Sequence, residues 1–210
     1  MKKSYLFVLA LLAVPALADN HRGFYAGVGA SAVDDKQDVV VFSNGMTLGD
    51  TTAIRTAEIT GGYRYNDALG GEVRLGSGTR PGKGNVYTLT TTEGVPDTTD
   101  NLEREIESYQ SIYYRPELEN DDAKLYALLG YTQISTSKAT APLTKDPVSG
   151  KFTAGKATKG KSESYAGLSY GIGVGFVIDE HFNINFEYKN ICDELYNKPN
   201  MASVNIDYRF

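Results

Sequence analysis

A single cysteine, Cys192, rules out an intramolecular disulfide, and there is no tryptophan. No apolar run approaches the roughly 18 residues that a membrane-spanning helix requires. No long basic run occurs either. With 21 Lys+Arg against 26 Asp+Glu the net charge is −5, which makes nucleic acid a poor partner. Charged residues make up 22% and hydrophobic residues 41% of the 210, a balance that permits a folded protein and argues against wholesale disorder. The plentiful residues are 22 Gly, 15 Tyr and 8 Phe. Strands favour aromatics, and so much Tyr and Gly is heavy for a helical domain.

Residues 1–18 read as a secretory signal peptide: Lys2 and Lys3, a short apolar run from Tyr5 to Leu17, and small residues at Ala16 and Ala18. Cleavage there starts the exported domain at Asp19, so the expected organisation is a signal peptide over 1–18 and one domain over 19–210. Losing both lysines moves the net charge from −5 to −7. No cysteine follows the cleavage point to carry a lipid.

Beyond residue 19 the hydrophobic period is two, the strand signal. From Met201 to Phe210, apolar Ala202, Val204, Ile206, Tyr208 and Phe210 alternate with Ser203, Asn205, Asp207 and Arg209. Phe182, Ile184, Phe186 and Tyr188 alternate likewise with Asn183, Asn185, Glu187 and Lys189. The same reading gives strands over 23–33, 53–65, 69–80, 106–116, 123–134 and 165–178. The last of these has a nearly bare second face, with Gly167, Gly171, Gly173 and Gly175. In 106–116 the pairs Ile112/Tyr114 and Tyr109/Tyr113 compete for the apolar face, and the pattern leaves its phase open. Eight strands of about ten residues suit a bilayer crossing. The turns at 66–68, 119–122 and 179–181 are short, whereas 34–52, 81–105 and 135–164 are long. Asn44-Gly45, flanked by Val39–Phe42 and Met46–Leu48, reads as a hairpin that extends the first two strands. Such sorting of connections is the arrangement of outer-membrane barrels.

The polar faces carry both signs: Glu58, Arg64, Glu72, Arg74, Lys124, Glu187, Lys189, Asp207 and Arg209, with Arg80 assigned to the same face as Arg74. Balanced charge suits a narrow filled lumen, because a buried ion is costly unless paired. The expected fold is therefore all-β, an eight-stranded antiparallel up-and-down transmembrane β-barrel with short periplasmic turns and long extracellular loops. The lumen charge network is assigned to Glu58, Arg64, Glu72, Arg74, Glu187, Lys189, Asp207 and Arg209.

Two stretches carry a resemblance. Gly23-Phe24-Tyr25-Ala26-Gly27-Val28-Gly29, soon after a signal peptide, resembles the opening strand of the OmpA-like outer-membrane β-barrel domain. Ser203 to Phe210 resembles the C-terminal signal read by the barrel assembly machinery; Tyr208 and Phe210 match its aromatic positions, and Asn205 stands where a Gly is usual. The resemblance implies an outer-membrane location and outer-membrane lipid and the assembly machinery as partners. It also implies a barrel without the peptidoglycan-binding domain that larger relatives carry.

The resemblance leaves activity open. Some eight-stranded barrels modify lipid A with a His, a Ser and an acid, but His21 and His181 fall on the periplasmic side, away from the outer leaflet, so no enzyme is expected. The Gly-x-Gly runs at Gly27/Gly29 and Gly171–Gly175 lie within strands and lack a following helix, so they are not phosphate loops. No cofactor or metal site is assigned. The 135–164 connection is basic: Lys138, Lys145, Lys151, Lys156, Lys159 and Lys161 against Asp146 and Glu163. It is either a solvated loop or a contact for lipopolysaccharide phosphates, with Lys145, Lys151, Lys156, Lys159 and Lys161 as the contacting set. The 81–105 connection is acidic and reads as solvated charge. A structural or surface-interacting barrel is the expected role. A small pore of low conductance and a soluble periplasmic lipocalin-like carrier are the alternatives, and the sequence names no extracellular ligand.

Overall fold

The computed structural model describes residues 22–34, 40–41, 47–48, 53–66, 69–89, 96–145, 152–156, 158–195 and 199–210. The expected signal peptide, His21, Lys151 and Asn44-Gly45 lie outside these, as does the Lys145 side chain. Eight strands form the wall: β1 (Gly23–Asp34), β2 (Ile54–Arg64), β3 (Gly70–Arg80), β4 (Pro96–Tyr114), β5 (Ala123–Lys145), β6 (Glu163–Val177), β7 (Phe182–Asn190) and β8 (Asn200–Arg209). Each pairs antiparallel with its neighbour in sequence, and β8 pairs back onto β1 from Tyr25↔Arg209 to Asp34↔Asn200. The sheet closes and leaves no wall edge, as a backbone surrounded by lipid demands.

Alternation sends the apolar residues outward. Val28, Ile59, Leu125, Leu168, Ile172 and Ile206 all face away from the lumen, while Arg64, Arg74 and Arg209 are buried inside it. A soluble barrel carries the reverse arrangement. The open phase of β4 is settled by burial: Tyr109 and Tyr113 point in, Ile112 and Tyr114 point out.

The three short turns share one device. Asn66 Oδ1 accepts from Leu69 N at 2.8 Å, Asn120 Oδ1 from Asp122 N at 3.1 Å and Ala123 N at 2.8 Å, and Asp179 Oδ1 from His181 N at 2.8 Å and Phe182 N at 2.7 Å. A short Asn or Asp side chain thereby replaces ladder bonds that the reversing backbone gives up.

Three expectations are corrected. The connections 81–105 and 135–164 are largely strand: β4 and β5 run well past the other strands and pair with each other as far as Thr99↔Leu143, while Gly82–Leu89 pairs on β4 and Phe152–Ala154 and Thr158–Lys159 pair on β5. These segments have too little hydrophobic alternation to show a strand period, since no bilayer selects one outer face there. Val40–Val41 pairs with Thr47–Leu48, as the hairpin reading expects, but among the described residues the pair stands as a separate two-stranded ladder and not as a continuation of β1 and β2. Arg80 does not share the lumen with Arg74. The β2–β3 register shifts so that Arg55 opposes Arg80 while Thr56 opposes Gly78, leaving Thr79 as an extra residue, and Arg80 is exposed. A bulge breaks strict alternation, which parity counting cannot foresee.

Candidate functional site

The lumen holds most of the chemistry. Among the described residues twelve charged side chains lie within it, six acids and six bases: Glu58, Glu72, Glu117, Glu119, Glu187 and Asp207 against Arg64, Arg74, Arg115, Lys124, Lys189 and Arg209. An eight-stranded barrel leaves an interior just wide enough for side chains to fill.

The middle of the lumen is organised around Arg74. Its guanidinium reaches Glu58 at 2.9 Å, both oxygens of Glu187 at 2.6 and 2.7 Å, and Glu72 through Nε at 2.6 Å. Lys189 Nζ lies 3.3 Å from both Glu58 and Glu187. Each of these three glutamates also accepts from a phenol: Tyr25 donates to Glu72 at 2.7 Å, Tyr109 to Glu58 at 2.6 Å and Tyr126 to Glu187 at 2.7 Å.

Each phenol crosses a glycine to get there. Tyr25, Tyr109 and Tyr126 stand directly opposite Gly62, Gly76 and Gly173 on the neighbouring strand. A Cβ on those glycines would come within 2.2, 2.3 and 2.3 Å of the ring. Tyr113 repeats the arrangement across Gly130, with its hydroxyl 2.7 Å from Ser169 Oγ. Of the bare face seen in the sequence, Gly173 is such a bed, whereas Gly167, Gly171 and Gly175 face Asp193 and Glu194, Lys189 and Asn185.

Nearer the short turns a second cluster forms. Arg64 pairs with Glu119 and lies 3.8 Å from Glu117; Arg209 is 3.2 Å from Glu117 and 3.6 Å from Asp207; Lys124 is 3.7 Å from Glu119. Asp207 accepts from Asn183 at 2.8 Å and Asn185 at 2.5 Å. Arg115 joins the two clusters, with Nη1 at 3.0 Å from Glu72 and Nε at 3.3 Å from Glu117, and its guanidinium stacks 3.8 Å from the centre of the Tyr126 ring.

The structure therefore brings together Glu58, Glu72, Arg74, Glu187 and Lys189 in one cluster and Arg64, Asp207 and Arg209 in the other. The sequence-derived set omits Arg115, Glu117 and Glu119, which follow β4 toward a turn. Their inward/outward alternation continues through the short strand Glu117–Glu119 paired to β5, and that was the available signal.

At the opposite end the lumen is roofed by apolar side chains. Val33, Ile54, Ile106, Ile134 and Met201 pack with Ile191 and Cys192, and Leu195 rests against them. Asp193 N donates to Leu168 O at 2.9 Å, so the connection after β7 folds over β6 and into the barrel mouth. Burial pushes the Cys192 thiol up from its ordinary value. A cavity of about 50 Å³ lies beside Tyr165, Leu195 and Pro199.

The remaining candidates are placed as follows. Tyr208 stacks with Phe182 and Phe210 at 5.0 and 5.1 Å, and Phe210 N donates to Phe24 O at 3.0 Å. His181 lies 5.2 Å from the Tyr208 ring, in the turn after β6. Lys156, Lys159 and Lys161 are exposed. Lys159 pairs with Glu107 at 2.8 Å and Glu105 at 3.7 Å, so the basic and acidic connections meet. The Lys159 ammonium, with help from Ser162, holds the Glu107 carboxyl below its ordinary range.

The family described as outer membrane protein beta-barrel domain matches residues 4–210. No curated protein matches the chain. Among solved structures it is similar to Ail, the attachment invasion locus protein of Yersinia pestis, solved with the heparin analogue sucrose octasulfate, at 16% identity over 90% of this chain and 99% of that one, TM-score 0.47. It is also similar to the outer membrane protein OprG from Pseudomonas aeruginosa, at 16% identity, 90% and 97% coverage and TM-score 0.45. Neisserial surface protein A stands at 17% identity, 90% and 97% coverage and TM-score 0.43.

Proposed function

The chain belongs to the outer membrane protein beta-barrel domain family, and from that premise we propose a non-enzymatic role: a closed, plugged barrel that anchors an extended sheet on the cell surface, with residues 1–18 removed on export. The observation that carries this reading is the filling of the lumen. Six acids and six bases, paired at or near hydrogen-bond distance, occupy the interior from the turns to the middle, and an apolar roof follows. Such a lumen is expected to pass little current. The extended β4–β5 ladder projects beyond the other strands and supplies the surface on which an interaction would be made. His181 sits in a short turn against Tyr208, with Asp179 accepting from its backbone N–H.

Planar-bilayer recordings of the refolded protein test the plug. No steady open-channel current is expected; large, steady currents replace this reading with that of a small pore. Heat-modifiable gel migration of the detergent-extracted membrane fraction is expected alongside.

A further inference from the structure

The register shift in β3 has a chemical consequence on the outer wall. Counting by twos from Glu72 and Arg74 sends Arg80 into the lumen. The extra residue Thr79 turns it outward instead, directly opposite Arg55 of β2. Both arginines are exposed. Like charges directly opposite on neighbouring strands destabilise the pair. Among the described residues no ion pair is seen for either guanidinium, and the nearest acid on that face by register is Asp34 of β1, two residues beyond the Ala32 that opposes Arg55.

The height of the pair matters as much as its charge. Below Arg55 the outward face of β2 runs Ala57, Ile59, Gly61, Tyr63, and that of β3 below Arg80 runs Ser77, Leu75, Val73, Gly71. The apolar column ends at Tyr63 and Tyr65 near the short turn. About ten residue steps separate Arg55 from Tyr65, or about 33 Å along the strand, and a tilt of about 40° leaves about 25 Å along the barrel axis. That is the height of the apolar band in outer-membrane barrels. The tyrosines mark one interface and the arginines stand at the other, on the side of the long connections.

We infer that Arg55 and Arg80 form a clamp for a phosphate group of lipopolysaccharide in the outer leaflet. Two guanidinium groups present planar forks that match phosphate oxygens. An anion between them converts the repulsion into two attractions. The clamp uses none of the lysines of the 135–164 connection, and it rests on the outer-membrane reading given above. Bulges at barrel rims re-aim side chains in this way.

The test is titration of the refolded protein with bis-phosphorylated lipid A in mixed micelles, beside lipid A stripped of both phosphates. Arg55→Gln/Arg80→Gln is expected to weaken binding of the phosphorylated lipid about tenfold or more. Arg55→Lys/Arg80→Lys, which keeps charge and loses the fork, is expected to fall between the two. Should the glutamine variant migrate as unfolded in gels, the lysine variant carries the test. Unchanged affinity in the folded variants, or equal binding of the stripped lipid, overturns the clamp. Sucrose-gradient fractionation of cells distinguishes the two failures: a protein found in the outer-membrane fraction with unchanged affinity sinks the clamp alone, while one found elsewhere sinks the outer-membrane reading with it.

Discussion

Arg115 donates to Glu72 at 3.0 Å across the seam between the two ion clusters of the lumen. The upper cluster holds Glu58, Glu72 and Glu187 against Arg74 and Lys189, so Arg115 supplies the charge that neutralises it. Arg115→Ala leaves a buried carboxylate uncompensated, a situation that typically costs about 3–5 kcal/mol. Urea titration in detergent micelles is expected to show a loss of that size. Glu72→Gln added to Arg115→Ala is expected to recover part of it. Equal stability of Arg115→Ala and the parent would remove the balance argument.

The Tyr–Gly pairs make opposite demands on two neighbouring kinds of glycine. A Cβ at Gly173 meets the Tyr126 ring, which must then leave its bond to Glu187. A Cβ at Gly61, which faces outward, meets nothing within 4 Å. Gly173→Ala is therefore expected to destabilise by about 1–3 kcal/mol, as overpacking does. Gly61→Ala is expected to be neutral or to stabilise by up to about 1 kcal/mol through the unfolded chain. Unfolding midpoints of the two variants, measured side by side, decide it.

These cases show how far the sequence could be read. Strand positions and outward faces were legible because lipid imposes a period of two, so Val204, Ile206 and Phe186 announced their side at once. The polar period on the inner face exposed Glu58, Arg74 and Glu187, but who meets whom depends on the stagger between strands. Arg209 illustrates this: it turns to Glu117, a residue that lies 92 positions away and outside the expected strands. Arg80 shows a second limit, since one extra residue reverses every later parity. The β4–β5 extension carries no strand signal in the sequence because above the bilayer no apolar solvent writes a pattern into the outer face.

The turn at Asp179 carries a pH dependence. The backbone N–H of His181 first, and that of Phe182 next, donate to its carboxylate and hold it below the ordinary carboxylate range. A depressed folded value means that the stabilisation is fully present above the unfolded value, about 3.9, and is lost as pH falls through the folded one. The protection factors of the His181 and Phe182 amides, each referenced to intrinsic exchange at the same pH, are expected to be high at neutral pH and to fall only below about pH 4. Asp179→Ala is expected to show low protection at both. Protection that is independent of pH in the parent would show that the carboxylate does not hold the turn.

The outer wall is expected to refuse charge. Val204 faces outward on β8, opposite Phe186 on one side and Ala30 on the other. An arginine there, near the bilayer midplane, should cost about 2–4 kcal/mol. Unfolding in phospholipid vesicles measures this, and Val204→Leu serves as the control that keeps the surface apolar. A tolerated Val204→Arg would contradict a lipid-facing wall.

The contacts that close the barrel reach Phe210. Phe210 N reaches Phe24 O at 3.0 Å, and its ring joins Tyr208, which in turn stacks on Phe182. The contacts tie β8 to β1 on one side and to β7 on the other, at the end where the strand pairing must finish. An unclosed edge in lipid leaves backbone groups without partners, each costing several kcal/mol. Removing Phe210 deletes one bond and one ring contact while leaving the β1–β8 register of Tyr25↔Arg209 in place. The equilibrium stability of the purified barrel should then fall modestly. Assembly in the cell should suffer more, if the aromatic end is what the assembly machinery reads. The measurement is the folded fraction in the outer membrane at ordinary expression, set beside the unfolding midpoint of the same variant refolded in detergent. A sharp drop in the first with a small change in the second assigns Phe210 to assembly; unchanged folded levels in cells would leave it as packing alone.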